Sequence, residues 1–393
     1  MKPYCRDTWI EVDLDAIGAN VRAFREHIPA SAAIMAVVKA DGYGHGAVHV
    51  AREALASGAD SLAVAMLDEA LVLRRAGIQA PILVLGYTPV DAVQQAIEWD
   101  VALTVYHASW VEEVVRCWQP GAGSQRLAVH IKVDTGMGRL GVRTEAELRE
   151  VAEAVAASPL LSWEGIYTHF ACADEPDPTH VKGQHQRFRE LLDGLRAQGF
   201  ALPKVHCCNS AAATVFPEWA YDAIRLGISL YGLAPSAYLR QQGIVRLTPA
   251  LTLKTKIAHV KTADEPLTIS YGATYTAKPG EQIATLPIGY ADGFSRLLSN
   301  RGTALHNGRR VPIVGRVCMD QTMVRIDAGD ARVGDEVVLY GRQGSEEITL
   351  DEVAELLGTI NYEVACMLNY RIPRVYRKNG RIVDFCHRIH NKC

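Results

Sequence analysis

Hydrophobic positions in the first 235 residues form short apolar runs separated by segments with helical spacing. Runs that are apolar throughout, rather than alternating, are typical of strands covered on both faces. Segments such as 67–77 and 90–99 place apolar residues at i, i+3 and i+4, which predicts amphipathic helices. Thr144 followed by Glu147 predicts a capping box at the start of another helix. The strand-like runs are residues 34–40, 61–66, 81–86, 101–106, 126–135, 161–170, 204–210 and 223–232.

Eight strands alternating with helices predict a (β/α)8 TIM-type barrel over residues 1–235. A strand count wrong by one would leave a doubly wound open sheet as the alternative. From residue 236 to 393 the pattern changes to short strands separated by turns, interrupted by one helix at 349–359. The sequence therefore predicts a second, mostly β-strand domain over 236–393. Residues 1–14, which include a strand-like stretch at 9–14, are a candidate for packing with that domain.

Composition and charge narrow the classes of partner. The 393 residues carry 41 Lys and Arg against 44 Asp and Glu, so the net charge of −3 favours neither nucleic acid nor an anionic membrane surface. The nine cysteines are scattered without a C-x-x-C pair, which fits a reducing cytoplasm and predicts no metal site. We expect no signal peptide and no membrane span, because the chain has neither an apolar h-region nor a run of about 18 apolar residues.

Polar residues cluster where the predicted strands end. In (β/α)8 barrels the reactive groups collect at the C-terminal ends of the strands, so these residues are expected on one face. They are Lys39 after the first strand, Asp134 after the fifth, His169 after the sixth, Asn209 and Ser210 after the seventh, and Arg225, Gly227 and Ile228 in or after the eighth.

Lys39 ends an apolar strand and is followed by a glycine-rich loop, with glycines at 42, 44 and 46. A lysine among apolar residues and other cations loses its proton more easily, and a neutral lysine can form a Schiff base. A lysine that extends its ammonium from a strand end into water is the ordinary alternative. The glycines match no nucleotide-binding pattern, yet they permit close approach of the backbone to a ligand.

Ser210, Gly227 and Ile228 lie where loops lead into helices. Backbone N–H groups at such places bind anions, and the late loops of barrels often hold phosphate. Each residue taken alone is equally consistent with an ordinary loop. A Schiff-base lysine opposite a phosphate site matches pyridoxal 5'-phosphate, which needs both at opposite ends of one ring.

With these residues in view, the sequence resembles the alanine racemase family over essentially its whole length. The resemblance implies a pyridoxal-phosphate barrel with a C-terminal β domain, a homodimer with shared active sites, and interconversion of L- and D-alanine that supplies peptidoglycan. The matching motifs, in order, are AVVKADGYGHG, KVDTGMGRLG, GIYTHFA, NSAA, IRLGISLYG, SYGATY, LPIGYADG, VGRVCMDQ and NYRIPR.

The resemblance also implies roles for individual residues. Lys39 would hold the cofactor and act as one of two catalytic bases, and Tyr271, from the second subunit, would be the other. Arg225 would face the pyridine nitrogen, with His169 between Arg225 and Tyr271. Lys132 matches a lysine that is often carbamylated in the family. The further cofactor-binding residues would be Tyr43, Arg139, Asn209, Ser210, Gly227, Ile228 and Tyr370; Arg139 and Met319 would bind the substrate carboxylate; and Asp174, Tyr290, Arg296 and Arg316 would line the entrance.

Several alternatives remain open on the sequence alone. A fold-related pyridoxal-phosphate amino-acid decarboxylase is the nearest, because Cys318 lies in a position suited to it. A racemase of serine or of several small amino acids is another, and a pyridoxal-phosphate carrier or a cofactor-free aldolase are the remaining ones. The tail at 386–393 has no counterpart in the family pattern, and we expect it to be disordered.

Overall fold

The computed structural model describes residues 5–118, 126–326 and 330–390. Contacts between residues divide the chain into two compact units. The barrel unit comprises Ala16–Gly42 and Ala47–Thr248. The β unit comprises the described residues up to Asp15, the short segment Tyr43–Gly46, and the described residues from Pro249 onward. The loop after Lys39 thus contributes to both units.

The barrel unit is built on eight parallel strands that pair in the order β8-β7-β6-β5-β4-β3-β2-β9. Each predicted strand run overlaps one of them, so the predicted barrel is confirmed. The two strands at the ends of this order, β8 and β9, are linked by two backbone hydrogen bonds. Asp222 N–H donates to Val205 O at 3.0 Å, and Arg225 N–H donates to Cys208 O at 2.9 Å. The strands are β2 (Ala33–Val37), β3 (Ser61–Val64), β4 (Ile82–Val84), β5 (Ala102–Val105), β6 (Leu127–Lys132), β7 (Leu161–Tyr167), β8 (Lys204–His206) and β9 (Ala223–Leu226).

Helices follow these strands along the chain, as the periodicity predicts. The capping box at Thr144 is present, because its side chain accepts the Glu147 N–H at 3.2 Å and Glu147 accepts the Thr144 N–H in return. The helices are α1 (Leu14–His27), the turn α2 (Lys39–Tyr43), α3 (Ala47–Ala56), α4 (Leu67–Arg75), α5 (Val93–Glu98), α6 (Ala108–Cys117), α7 (Glu145–Ala157), α8 (Thr179–Ala197), α9 (Ser210–Val215) and α10 (Ala237–Gln242).

The β unit contains a large sheet, a three-stranded sheet and a hairpin. Its strands are β1 (Thr8–Asp13), β10 (Leu251–Lys256), β11 (His259–Thr262), β12 (Leu267–Ile269), β13 (Tyr275–Ala277), β14 (Gln282–Leu286), β15 (Thr303–His306), β16 (Arg309–Pro312), β17 (Thr322–Ile326), β18 (Glu336–Gln343), β19 (Glu346–Ile348), β20 (Arg374–Lys378) and β21 (Arg381–Cys386). Two helices, α11 (Leu350–Leu357) and α12 (Asn361–Met367), complete it.

The large sheet runs in the order β16-β15-β18-β10-β1-β20-β21, with β19 paired to β18. The N-terminal strand β1 lies inside it, antiparallel to β10 and parallel to β20. The expected disorder of the tail is wrong for its first five residues, because Cys386 ends β21 and Arg388–His390 form a 3-10 turn. Residues 391–393 lie outside the described part of the chain. Among the described residues, none of the helices has the length and apolar character needed to span a membrane.

Candidate active site at the barrel mouth and in the β unit

Lys39 opens a left-handed turn two residues after β2. Ala40, Asp41 and Tyr43 have φ of 52°, 54° and 49°, and Gly42 between them has φ of 61°. A left-handed conformation costs a residue with a side chain about 1–2 kcal/mol, so this turn is strained and must be held by its neighbours. Only Gly42 adopts the conformation without that cost, so the glycine content of the loop explains the turn in part.

Glu69, in the first turn of α4, holds the start of this turn. Its Oε1 accepts the Ala40 N–H at 2.6 Å, and its Oε2 accepts the N–H groups of Ala65 at 2.7 Å and Met66 at 3.4 Å. One carboxylate therefore joins the residue after Lys39 to the end of β3. No sequence pattern indicates that Glu69 is part of the site.

Arg225 in β9 is the centre of a buried polar cluster. It is 3% exposed, and its two terminal nitrogens donate to two histidines and three carbonyls. Nη1 lies 2.9 Å from His206 Nδ1 and 3.3 Å from His206 O; Nη2 lies 2.8 Å from Thr168 O, 3.0 Å from Cys207 O and 3.3 Å from His169 Nδ1. Its Nε–H has no acceptor within the described part of the chain.

Two buried histidines extend the cluster into the barrel. Arginine has donors only, so His206 must accept at Nδ1 and carry its proton on Nε2. That proton is donated to Nδ1 of His130 at 3.0 Å. Burial, with the charges of Lys204 and Arg225, lowers the pKa of His130 to about 3. Burial and Arg225 hold the pKa of His206 well below its ordinary value, so both imidazoles are neutral.

His169, which is half-buried, is also neutral. Burial and then the charges of Arg225, Arg139, Lys132 and Lys39 hold its pKa well below the ordinary value. These charges reach His169 from different strand ends, so the structure brings the predicted cationic residues to one face of the barrel. Since Nδ1 accepts from Arg225, the proton of His169 is on Nε2.

Tyr167 and Lys132 line the same cluster. The Tyr167 ring stacks on His206 with centroids 4.7 Å apart, and its hydroxyl lies 2.8 Å from Thr104 Oγ1. Lys132 Nζ lies 5.5 Å from the Tyr167 ring centroid and donates to Val133 O at 2.6 Å. Burial, followed by the charge of Arg225, lowers the pKa of Lys132 to about 7.

Asp134 organises the loop that carries Arg139. Its Oδ1 accepts the N–H groups of Gly136 and Met137 at 2.9 Å and of Gly138 at 3.1 Å. Burial by itself would raise the pKa of the Asp134 carboxyl, but the hydrogen bonds from these N–H groups have the larger combined effect. The pKa of Asp134 is therefore below its ordinary value. Arg139 itself is exposed. On another loop, burial raises the pKa of Asp174, a predicted entrance residue.

The predicted phosphate residues of the barrel lie together. Asn209 caps α9 by accepting the Ala212 N–H at 2.9 Å. Ser210 Oγ accepts the N–H of Gly227 at 2.9 Å, so that N–H is already in use. The Ser210 hydroxyl proton and the N–H of Ile228, which has no acceptor among the described residues, are the donors left for an anion.

The remaining predicted residues belong to the β unit. Tyr271 is 72% exposed and lies in a tight turn. Its neighbours have left-handed backbone, with φ of 66° at Ser270, 73° at Gly272 and 48° at Ala273. Ser270 is held there by its hydroxyl, which donates to Arg316 O at 2.6 Å. The backbone of this turn is therefore strained, and the phenol of Tyr271 is exposed at its tip.

The segments of Tyr290 and Met319 are joined through their backbones. The N–H of Tyr290 donates to Cys318 O and that of Ala291 to Met319 O, both at 3.0 Å. A Cβ on Gly289 would lie 2.2 Å from Cys318 O, so only glycine allows this approach. Met319 is 53% exposed.

Asp292 and Arg371 connect these segments to the one that carries Tyr370. The carboxylate of Asp292 is fully buried and accepts from Arg6 at 2.8 and 3.0 Å. Arg371 Nε lies 3.5 Å from Asp292 Oδ1, and its Nη2 donates to Asp320 at 2.6 Å. Tyr370 is 58% exposed, and Arg296 is also exposed.

Sequence reasoning therefore named one set of residues at the barrel mouth and a second set in the β unit. The residues that hold these two sets in place were not predicted; they are His130, Tyr167, His206, Glu69, Asp292 and Arg371. A usable signal existed for two of these: Tyr167 and His206 stand on strands immediately before predicted site residues. For the others, the contact that ties the residue to the site is with a residue distant in sequence, such as Ala40 for Glu69 and Arg6 for Asp292, so no local pattern reveals it.

Two family models match the chain: "Alanine racemase, N-terminal domain" over residues 12–235 and "Alanine racemase, C-terminal domain" over residues 250–376. Alanine racemase 2 of Bacillus subtilis is 57% identical over 380 residues, which cover 96% of each chain. The crystal structure of alanine racemase from Bacillus anthracis with bound L-Ala-P has a TM-score of 0.95 and 47% identity, covering 99% of this chain and 100% of that one.

The matched structures also include a racemase of another amino acid. Histidine racemase from Leuconostoc mesenteroides has a TM-score of 0.85 and 31% identity, covering 96% of this chain and 99% of that one. Similarity of fold therefore extends to enzymes whose substrates differ greatly in size.

Proposed function

Because the chain belongs to the alanine racemase family, we propose that it is a pyridoxal 5'-phosphate enzyme that interconverts L- and D-alanine with two bases, Lys39 and Tyr271. We further propose a cytoplasmic homodimer with shared active sites, whose D-alanine is used for peptidoglycan. The identity of 57% over nearly the whole chain supports alanine as the substrate. The histidine racemase in the same fold makes serine or another amino acid the alternative to test.

The donors of the barrel mouth fit the cofactor. Arg225 has satisfied terminal nitrogens and one N–H left, at Nε, which suits a single ring nitrogen that accepts a hydrogen bond. Ser210 and the Ile228 N–H offer donors to the phosphate, and Lys39 supplies the amine. When bound, the cofactor would supply an imine and an electron-withdrawing ring, which together acidify the Cα–H bond. The free Nε–H of Arg225 is the observation that carries this proposal.

Lys39 and Tyr271 would move the proton on opposite faces of Cα. A proton taken by Lys39 Nζ from one face requires a proton given by Tyr271 Oη on the other, which inverts the centre. The exposure of Tyr271 supports its reaching a second subunit. A neutral His169 carrying its proton on Nε2 is suited to donate to a tyrosine oxygen and so to favour the phenolate.

Arg225 would suppress transamination as a side reaction of racemisation. Burial lowers its pKa, but a guanidinium keeps its proton at physiological pH and cannot protonate a ring nitrogen. By leaving the ring nitrogen unprotonated, Arg225 would weaken electron withdrawal by the ring, which would favour prompt return of the proton over transamination. In an Arg225→Glu variant we expect pyruvate formation from alanine to rise relative to racemisation, and an unchanged ratio would contradict this role.

Lys132 would be carbamylated and pair with Arg139. Its lowered pKa of about 7 supports this, because only the neutral amine reacts with carbon dioxide. The carbamate would add a negative charge beside Arg139 and fix that otherwise exposed guanidinium for the substrate carboxylate, together with the Met319 N–H. Asp174, Tyr290, Arg296 and Arg316 would border the access route.

Chiral chromatography after incubation with L-alanine, and separately with L-serine, tests the proposal. We expect both alanine enantiomers in equal amounts at equilibrium, with slower conversion of serine. Release of carbon dioxide with formation of an amine would instead indicate the decarboxylase, for which Cys318 is the residue to examine. Wild-type protein that takes up pyridoxal phosphate yet leaves both amino acids unchanged would refute the proposed reaction.

A further inference from the structure

We propose that Arg374, at the start of β20, is a positioning residue for the cofactor phosphate. Its guanidinium fixes two separate segments of the β unit, the one that carries Tyr43 and the one that carries Tyr370. This inference rests on the proposed function, because it takes these two tyrosines to bind the phosphate. Nothing in the family motifs gives Arg374 a contact with substrate or cofactor.

The Arg374 guanidinium donates hydrogen bonds to four backbone carbonyls. It is 5% exposed; Nε donates to Gly44 O at 3.0 Å, and Nη2 donates to Leu368 O at 2.7 Å. Nη1 donates to Asn369 O and Ile372 O, each at 2.6 Å. Two of these carbonyls therefore lie on either side of Tyr370, and one directly follows Tyr43.

The segments need such a tie because neither is regular. The Tyr43 segment has left-handed backbone, with φ of 49° at Tyr43 and 81° at Gly44. Leu368 is the C-cap of α12, where the last carbonyls of a helix lack partners within the helix. A buried cation satisfies these carbonyls and is favoured by their negative dipole ends. A Cβ on Gly44 would lie 2.5 Å from Ala365 O, so the Tyr43 segment also contacts α12, the helix that leads into the Tyr370 segment.

The planar fork of arginine explains why the position requires this residue. Three nitrogens in one plane reach four carbonyls at fixed angles, whereas the single ammonium of lysine cannot span them. Lysine would keep the charge but release either the Tyr43 or the Tyr370 segment. The two hydroxyls would then no longer be held at one place for the phosphate.

Arg74 in the barrel unit provides a matched control. It is 7% exposed, and it donates to the carbonyls of Trp99, Ile78, Ala80 and Asp100 at 2.7 to 2.8 Å. Like Arg374, it thus donates to four backbone carbonyls, but these join the end of α4 to segments that contain no predicted site residue. Arg74→Lys should destabilise the fold without changing recognition of phosphate.

The test compares two aldehydes on protein stripped of cofactor and reloaded. The affinities of pyridoxal phosphate and of pyridoxal, which lacks the phosphate, are measured from absorbance for the wild type, Arg374→Lys and Arg74→Lys. For Arg374→Lys we expect the preference for the phosphorylated form to fall roughly ten- to hundred-fold, as for other residues that orient direct ligands. Arg74→Lys should retain the wild-type preference.

An unchanged preference in folded Arg374→Lys, or an equal fall in Arg74→Lys, would overturn the inference. Failure of the wild type to bind pyridoxal phosphate would instead refute the proposed function. If Arg374→Lys does not fold, hydrogen exchange on the wild type decides. Inorganic phosphate should slow exchange in residues 43–46 and 368–372 together. Protection of one segment alone would contradict the proposal that Arg374 holds both segments for the phosphate.

Discussion

Replacing Gly46 with alanine should strongly destabilise the β unit. Gly46 has φ of 97°, and a Cβ there would lie 1.8 Å from the hydroxyl oxygen of Tyr376, whose side chain is fully buried. The left-handed backbone costs alanine about 1–2 kcal/mol. The overlap forces a shift in a packed core, which costs about 1–3 kcal/mol more. We therefore expect a loss of about 2–5 kcal/mol in the free energy of unfolding.

Gly58 separates the two contributions. Its φ of 107° is close to that of Gly46, but a Cβ there would meet nothing within 4 Å. Gly58→Ala therefore carries the backbone cost of about 1–2 kcal/mol without the overlap. The difference between the two variants measures the clash with Tyr376 alone.

The assay is urea denaturation followed by circular dichroism, with a Tyr376→Phe background as the second arm. Removal of the hydroxyl leaves the ring carbon Cζ, 3.0 Å from the new Cβ, as the nearest atom. Gly46→Ala should then cost much less in that background than in the wild type. The reasoning is refuted if Gly46→Ala costs no more than Gly58→Ala, or if Tyr376→Phe does not reduce its cost.

Three further predictions concern titratable groups of the barrel unit. Glu69→Gln should lower cofactor occupancy, measured from visible absorbance, because one amide oxygen cannot accept from both Ala40 and Ala65. Glu147→Gln, which alters a capping box elsewhere, is the control. Equal occupancies in the two variants would contradict the role of Glu69 in holding the turn after Lys39. For His130, the folded-state pKa of about 3 lies below the unfolded value, so the stability it contributes is complete above the unfolded pKa and is lost as pH falls. Between about pH 7 and about pH 4 the loss in the free energy of unfolding is roughly 3 kcal/mol. In His130→Gln the urea midpoint should fall less over this pH range than in the wild type. Identical pH profiles for the two proteins would show that His130 is not the group responsible. Labelled bicarbonate should give a carbamate NMR signal that grows with pH above about 7, since only the neutral amine of Lys132 reacts. The signal should be absent in Lys132→Arg. A signal that persists in this variant would show that another lysine carries the carbamate.

The strands, helices and order of the barrel could be predicted because they depend on local patterns. Strand-like runs of six to ten residues recur at intervals that leave room for one helix each, and a helix start such as Thr144 has its signal within four residues. The ends of parallel strands meet on one face by geometry, so Lys39, His169 and Arg225 could be grouped before any coordinates.

The protonation states of the cluster depend on packing and could not be predicted. His130 and His206 are neutral because burial beside Arg225 makes a second charge costly, and their sequence neighbours give no sign of that contact. The same holds for Lys132, whose lowered pKa comes from burial and from an arginine 93 positions later in the chain.

The sequence by itself determined the fold class, the family and the identity of the candidate bases, because these are properties of residue type and local order. Only the tertiary structure decided how the site is held. Glu69 accepts the N–H of Ala40, Arg374 donates to the carbonyl of Gly44, and Asp292 pairs with Arg6; each of these partners lies in a distant segment and is reached only after the chain has folded. Polar groups in a protein interior must find hydrogen-bond partners wherever the fold places them, so their roles follow from three-dimensional proximity and leave no trace in spacing along the chain.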